Sequence, residues 1–288
     1  MTQTTDQWTT GKLLDWMTQS LESHKVDSAR VLAEMLLTEV YGGNRIDLYA
    51  NANRVATDKE RERLRTLVTR AMKHEPVQYI LGKSLFFGHE FAVNQSTLIP
   101  RSCTEVIVMQ AIEHCKSLMH TPRIADIGTG SGCIGITLAK QLEVDITLTD
   151  ISADALELAQ ENAEHLGVSE SLTFVQGDGL EPLVGTFDVL CSNPPYIPSN
   201  EMDELAPNVK NWEPDLALHG GTDGLNVIRP LLEQAHEYLS ENGCLLIEVS
   251  PSITAEINSL LTSISTLREG LILKDQFGDE RFLRAYKS

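Results

Sequence analysis

Positive charge is scarce in this sequence. It has 23 lysines and arginines against 41 aspartates and glutamates, a formal net charge of −18. A surface this acidic repels a phosphate backbone unless a strongly basic face is set aside for it. The one basic cluster, Lys59, Arg61, Arg63, Arg65, Arg70 and Lys73, is interleaved with Asp58, Glu60 and Glu62, the pattern of a solvated helix face. Direct nucleic-acid binding is therefore not expected. Long apolar runs are missing too: no window suits a membrane span, and the polar stretch from Met1 to Asp15 is unlike a secretory signal. Cysteine is also sparse. Cys103, Cys115, Cys133, Cys191 and Cys244 include no Cys-x-x-Cys pair and are odd in number, which argues for buried free thiols in a reducing cytosol. The eight histidines are scattered, so no metal site is expected, and the expected location is the cytoplasm.

What is present is an ordinary supply of core. Of the 288 residues 42% are hydrophobic, enough for about two domains. Residues 1–76 are read as a helical domain. Leu13, Leu14, Met17 and Leu21 recur at helical spacing, as do Leu32, Met35, Leu36 and Val40. Thr57 and Glu60 form a capping box ahead of Leu64, Leu67, Val68 and Ala71. Residues 77–99 are read as a hairpin linker, because Tyr79–Leu81, Leu85–Phe87 and Phe91–Val93 are short apolar runs broken by Gly82 and Gly88. From residue 100 to 288, strand-like runs alternate with helix-like ones. The strands are expected at Arg123–Ile127, Asp145–Thr149, Leu172–Val175, Phe187–Ser192 and Cys244–Val249, with two more between Gly270 and Tyr286. Such alternation implies an α/β domain with a mostly parallel sheet covered on both faces.

The first of these strands runs into Gly128-Thr129-Gly130-Ser131-Gly132. Glycines at a strand-to-helix turn let backbone N–H groups approach a ligand closely. The spacing is not that of a dinucleotide fingerprint, since the third glycine would have to replace Cys133. The tighter loop suits a ligand without a pyrophosphate, and no Lys-Ser/Thr follows it for a triphosphate. Asp150 ends the next strand, where a carboxylate can accept two ribose hydroxyls. Asp178-Gly179 follows the third strand, where it could meet an adenine edge. Each aspartate alone is more simply a cap or turn residue. Three such features at successive strand ends point to a nucleoside.

The fourth strand ends in Asn193-Pro194-Pro195-Tyr196. Chance gives this tetrapeptide on the order of once in a thousand chains of such length. An amide or conjugated amine nitrogen is a poor nucleophile because its lone pair is delocalised. Two acceptors on its two N–H bonds orient it and favour the pyramidal, attacking form. Asn193 offers a side-chain oxygen and Pro194 a backbone carbonyl with no N–H to compete. Pro195 stiffens the turn, and the ring of Tyr196 can pack on a flat amide. The nitrogen gains positive charge as a methyl arrives, so these acceptors favour the transition state over the ground state. The alkylated cation gives up its proton readily, so no strong base is required.

Taken together, these motifs resemble the peptide chain release factor glutamine methyltransferases. The similarity also covers Pro76–Gly82, Leu98-Ile99-Pro100-Arg101, Trp212-Glu213-Pro214, Leu216-Ala217-Leu218, Gly220-Gly221 and Asp223-Gly224-Leu225. It implies a Rossmann-like class I methyltransferase sheet with a small N-terminal helical domain. It also implies S-adenosyl-L-methionine as cofactor and transfer to the glutamine of a Gly-Gly-Gln tripeptide in a release factor. By motif, cofactor contacts fall on Gly128, Thr129, Gly130, Ser131, Gly132, Asp150, Gly179 and Asn193. Substrate binding falls on Asn193, Pro194, Pro195 and Tyr196, with Asn193, Pro194 and Tyr196 catalytic. The sequence departs from the family after Arg101, where Ser102-Cys103 replace a proline and an acid; Thr104 and Glu105 remain. No catalytic role is expected of that segment.

Residues 197–227 carry several acids and little regular pattern, as in a lid or substrate loop. Three rival functions share parts of the pattern. A glutamine methyltransferase of a ribosomal protein would use the same site. An adenine-N6 nucleic-acid methyltransferase would use the same turn on a flipped base, which the net charge opposes. A non-catalytic cofactor-binding scaffold would have no use for the Asn193–Tyr196 turn.

Overall fold

The computed structural model describes residues 7–288, and the part of the N-terminal reading on residues 1–6 lies outside them. The chain forms two compact units, one of residues up to Gly82 together with Pro207–Trp212, the other of Lys83–Ala206 and Glu213–Ser288.

The first unit is helical. Its helices are α1 (Thr10–Ser23), α2 (Ala29–Tyr41), α3 (Arg45–Ala50), α4 (Asp58–Ala71) and α5 (Val77–Leu81). Leu13, Leu14, Met17 and Leu21 of α1 are buried with Leu32, Leu36 and Leu37 of α2 and Leu64, Leu67 and Val68 of α4. The Thr57–Glu60 capping box is formed, satisfying two N-terminal N–H groups reciprocally. Residues 77–81 were expected in the hairpin and instead make the one-turn helix α5. Pro76 starts it, left-handed Gly82 ends it, and the Arg70 guanidinium donates to the carbonyls of Tyr79 and Ile80 at 3.3 Å each. Three apolar residues in a row carry no period, so the deciding factor was Arg70, held by Glu75, which no local pattern reveals.

The second unit opens with a hairpin of β1 (Lys83–Phe86) and β2 (His89–Ala92). Then come α6 (Glu105–Lys116), β3 (Ile124–Ile127), α7 (Cys133–Leu142), β4 (Ile146–Asp150), α8 (Ala153–Leu166), β5 (Leu172–Gln176) and β6 (Phe187–Ser192). After the short helices α9 (Pro207–Lys210, in the first unit) and α10 (Asp215–Leu218) follow α11 (Ile228–Tyr238), β7 (Leu239–Glu248), α12 (Thr254–Ser263), β8 (Leu267–Lys274) and β9 (Glu280–Lys287). Seven strands form one sheet in the order β5-β4-β3-β6-β7-β9-β8. β3 to β7 run parallel; β9 is antiparallel to both neighbours.

Strand side chains alternate between two cores. Val189, Cys191, Cys244 and Leu246 face one with α6, α7 and α8, whereas Leu190, Leu245 and Ile247 face the other with α11 and α12. Four cysteines are buried, Cys103 is half-buried, and all five are free thiols. Among the described residues no helix is long and apolar enough to cross a membrane. Strand order reverses between β3 and β6, and the crevice at such a switch point lies at the carboxyl ends of the strands.

Candidate active site

Ile127 pairs with Ser192, so the glycine loop after β3 and the turn after β6 leave the sheet side by side. The Ser192 hydroxyl fastens them, donating to the Ile127 carbonyl at 2.8 Å. A cavity of about 300 Å³ opens there. Gly128, Gly130, Asp150 and Gly179 line it together with Asn193 and Pro194, as do Asp178 and Pro195.

The loop is shaped by two carboxylates. Asp126 is fully buried, and its Oδ2 accepts from the Thr129 hydroxyl at 2.6 Å and from Gly135 N–H at 2.9 Å. Desolvation outweighs these donors and pushes the Asp126 carboxyl up to about 6. Asp150 accepts Gly130 N–H on Oδ2 at 2.8 Å and Ser152 N–H on Oδ1 at 2.9 Å. Burial raises its pKa, opposed by these backbone donors. Each Asp150 oxygen keeps a lone pair for a further donor such as a ribose hydroxyl. A Cβ built on Gly128 or Gly179 would meet no protein atom within 4 Å, so both stretches of backbone are open to a ligand.

Thr129, Ser131 and Gly132, expected among the cofactor contacts, do not line the cavity. Thr129 and Ser131 are buried, and the Ser131 carbonyl accepts from Asn162 of α8 at 2.9 Å. Asn162 also exchanges bonds with both backbone groups of Ala92 at the end of the hairpin. Gly132 caps α7 with positive φ, and a Cβ there would come within 2.5 Å of Ile136.

The Asn193 turn is held from a distance. Glu248, at the end of β7 and with no exposed surface, accepts from the Tyr196 hydroxyl at 3.1 Å and from the Thr104 hydroxyl at 2.6 Å. Thr104 in turn accepts from Asn193 Nδ2 at 3.4 Å. Burial raises the Glu248 pKa, and burial followed by the Glu248 charge pushes that of Tyr196 well above its usual value. The ring of Tyr196, expected against a substrate amide, packs on the second core and does not line the cavity. The lips of the cavity are joined by Glu213, whose buried carboxylate binds Arg101 and accepts Ile99 N–H at 3.1 Å. Ser96 and Leu98 stand on one lip, Pro214 and Leu216 on the other. The loop after Pro214 lies against the turn: a Cβ at Gly220 would come within 2.8 Å of Tyr196 Cα, and one at Gly224 within 2.6 Å of the Tyr196 carbonyl. That close approach explains Gly220 and Gly224, whereas a Cβ at Gly221 would run into the Asn226 side chain.

Sequence reasoning missed Thr104 and Glu248. No catalytic role is expected of the Ser102–Glu105 segment, yet its Thr104 bridges Glu248 and Asn193. One signal was available: a lone acid ending the apolar run Leu245-Leu246-Ile247 must find partners in the interior.

A family model described as PrmC N-terminal domain matches residues 12–82, and one described as Methyltransferase small domain matches residues 104–208. The release factor glutamine methyltransferase of Rhodopirellula baltica is 38% identical, over 98% of this chain and 97% of its own length. That of Geobacter sulfurreducens is 42% identical over 86% and 87%. A solved methyltransferase from Pyrococcus furiosus shares the fold, with a TM-score of 0.51 at 18% identity over 79% of this chain and 98% of that one. By its full-length match to these relatives, the chain belongs to the release factor glutamine methyltransferases.

Proposed function

We propose that this protein transfers a methyl group from S-adenosylmethionine to the side-chain amide nitrogen of the glutamine in the Gly-Gly-Gln tripeptide of peptide chain release factors. The observation that carries this reading is the Asn193-Pro194-Pro195-Tyr196 turn on the wall of a cavity also lined by Gly128, Asp150 and Gly179. S-adenosylmethionine supplies, when bound, a methyl on a positively charged sulfur. Asp150 would accept from its ribose hydroxyls, and the open backbone at Gly128 and Gly179 would give the nucleoside room to approach. Asn193 Oδ1 and the Pro194 carbonyl accept the two N–H bonds of the substrate amide. These acceptors gain strength as the nitrogen becomes positive, which is differential binding of the transition state. Tyr196 keeps the turn in place through Glu248. The product cation is acidic enough to lose its proton to water, and the chain needs no general base beside the nitrogen.

In this reading the helical unit docks the body of the release factor and the second unit carries the chemistry. A tripeptide offers little area, so affinity must come from surfaces outside the cavity. The relatives named for release factors support this substrate over a ribosomal protein or an adenine. Incubation with labelled S-adenosylmethionine, a release factor, the same factor with its Gly-Gly-Gln glutamine replaced, and nucleic acid tests it. Label is expected on the intact factor alone. Label on the altered factor or on nucleic acid overturns the substrate.

A further inference from the structure

We infer that Glu248 and Thr104 act as a positioning pair that fixes which way the side-chain amide of Asn193 faces, so that its oxygen and not its NH2 is presented to the substrate. The inference rests on the methyl-transfer function proposed above, because only there does the direction of that amide matter. It begins with hydrogen-bond bookkeeping. A hydroxyl has one proton. Thr104 gives its proton to Glu248 Oε2 at 2.6 Å, a short bond of the charge-assisted kind. Towards Asn193 the Thr104 oxygen can then only accept, and Asn193 Nδ2 lies 3.4 Å away. The amide is planar with its oxygen and nitrogen on opposite branches, so drawing the nitrogen to Thr104 turns the oxygen elsewhere. The reversed amide would set a carbonyl oxygen against a hydroxyl lone pair, and it would offer the substrate a donor where an acceptor is needed.

The other oxygen of the same carboxylate takes the Tyr196 hydroxyl at 3.1 Å. One buried group therefore holds both ends of the Pro-Pro turn, Asn193 through Thr104 and Tyr196 directly. Among the described residues Glu248 has no ion-pair partner in contact; Arg281 and Arg101 act on it only through their charge, and the Cys103 sulfur sits 4.0 Å away. An unpaired carboxylate buried completely is costly to the fold. A glutamine would fill the same volume without the charge, but its NH2 would face one of the two hydroxyls. Facing Thr104, it would free the Thr104 proton for Asn193 Oδ1 and remove the preference.

The test compares Glu248→Gln, Thr104→Val and Thr104→Ser in the full-length protein. Glu248→Gln and Thr104→Val are expected to lower kcat about a hundredfold, as small misplacements of a reacting group do. The Michaelis constant for S-adenosylmethionine should stay within about twofold, and Thr104→Ser should keep most of the turnover. With asparagine-labelled protein, a nuclear Overhauser contact between the Asn193 NH2 protons and the Thr104 methyl group is expected in the wild type and lost in Glu248→Gln. That measurement needs no methyl acceptor. If the wild type shows the contact but labels no release factor, the substrate is wrong and the positioning stands. Absence of the contact in the wild type overturns it. So does near-normal kcat in Thr104→Val, a loss in Thr104→Ser equal to that in Thr104→Val, or weakening of cofactor binding in Glu248→Gln as large as the loss of turnover.

Discussion

Thr129 reaches Asp126 across three positions of sequence, Gly135 reaches it across nine, and Gly130 reaches Asp150 across 20. On the opposite wall Tyr196 reaches Glu248 across 52 positions, Asn193 reaches Thr104 across 89, and Thr104 reaches Glu248 across 144. The glycine loop is thus a local object, built mainly from backbone donors and the strands beside it. The acceptor turn is a product of the whole sheet, correct only once α6, β6 and β7 have assembled. The difference lies in reach: the carboxylates that shape the glycine loop hold groups at most 20 positions away, whereas the acceptor turn hangs on partners 52 to 144 positions apart.

The sharpest way to break this comparison is Asn193→Ala. Removing one preorganised acceptor is expected to lower turnover about a hundredfold or more, by analogy with loss of one oxyanion-hole donor. Cofactor affinity measured by calorimetry should change far less, and a variant keeping most of its turnover would erase the distinction. Asp150→Ala should do the reverse. It removes a charged hydrogen-bonding partner, which predicts about tenfold or greater weakening of S-adenosylmethionine binding. Turnover at saturating cofactor should remain close to normal; unchanged affinity in a folded variant would take Asp150 out of the site. The smallest effect concerns Asp126, which is raised from 3.8 to about 6 by burial. Below about pH 4 the carboxyl is neutral folded or unfolded, so its ionisation costs the fold nothing there. Between about pH 4 and 6 the folded state holds the proton more tightly, and stability falls with rising pH by at most about 1.4 kcal/mol per unit. Asp126→Asn should flatten that slope in urea unfolding at a series of pH values. Parallel slopes for the two proteins would mean that the loop carries no such strain.

What could be read from the sequence follows the same division. The strand runs at Phe187–Ser192 and Gly270–Tyr286, the capping box and the loop all announce themselves within a few residues, and they form as expected. Residues 77–81 did not, because Arg70 rather than their own pattern decides their shape. Thr104 lay in the stretch where the sequence departs from its family, which drew attention to Ser102 and Cys103 and away from the hydroxyl that matters. Glu213 was visible as part of the Trp212-Glu213-Pro214 motif, but nothing in the sequence pointed to what it binds. Its partners, Ile99 and Arg101, lie more than a hundred positions earlier.

The division of the chain into units has a consequence for anyone who would cut it. The backbone passes from one unit to the other at Gly82–Lys83, again at Ala206–Pro207, and a third time at Trp212–Glu213. A protein whose domains follow one another like beads can be severed at a single bond. Here a nick after Gly82 leaves the pieces threaded, with Trp212 still giving its indole N–H to the Lys73 carbonyl at 3.2 Å. Deleting the helical domain as a block would strand Pro207–Trp212 without that partner, immediately before the glutamate that joins the lips of the cavity. The helical part is thus to be altered by point changes on its surface and not by excision.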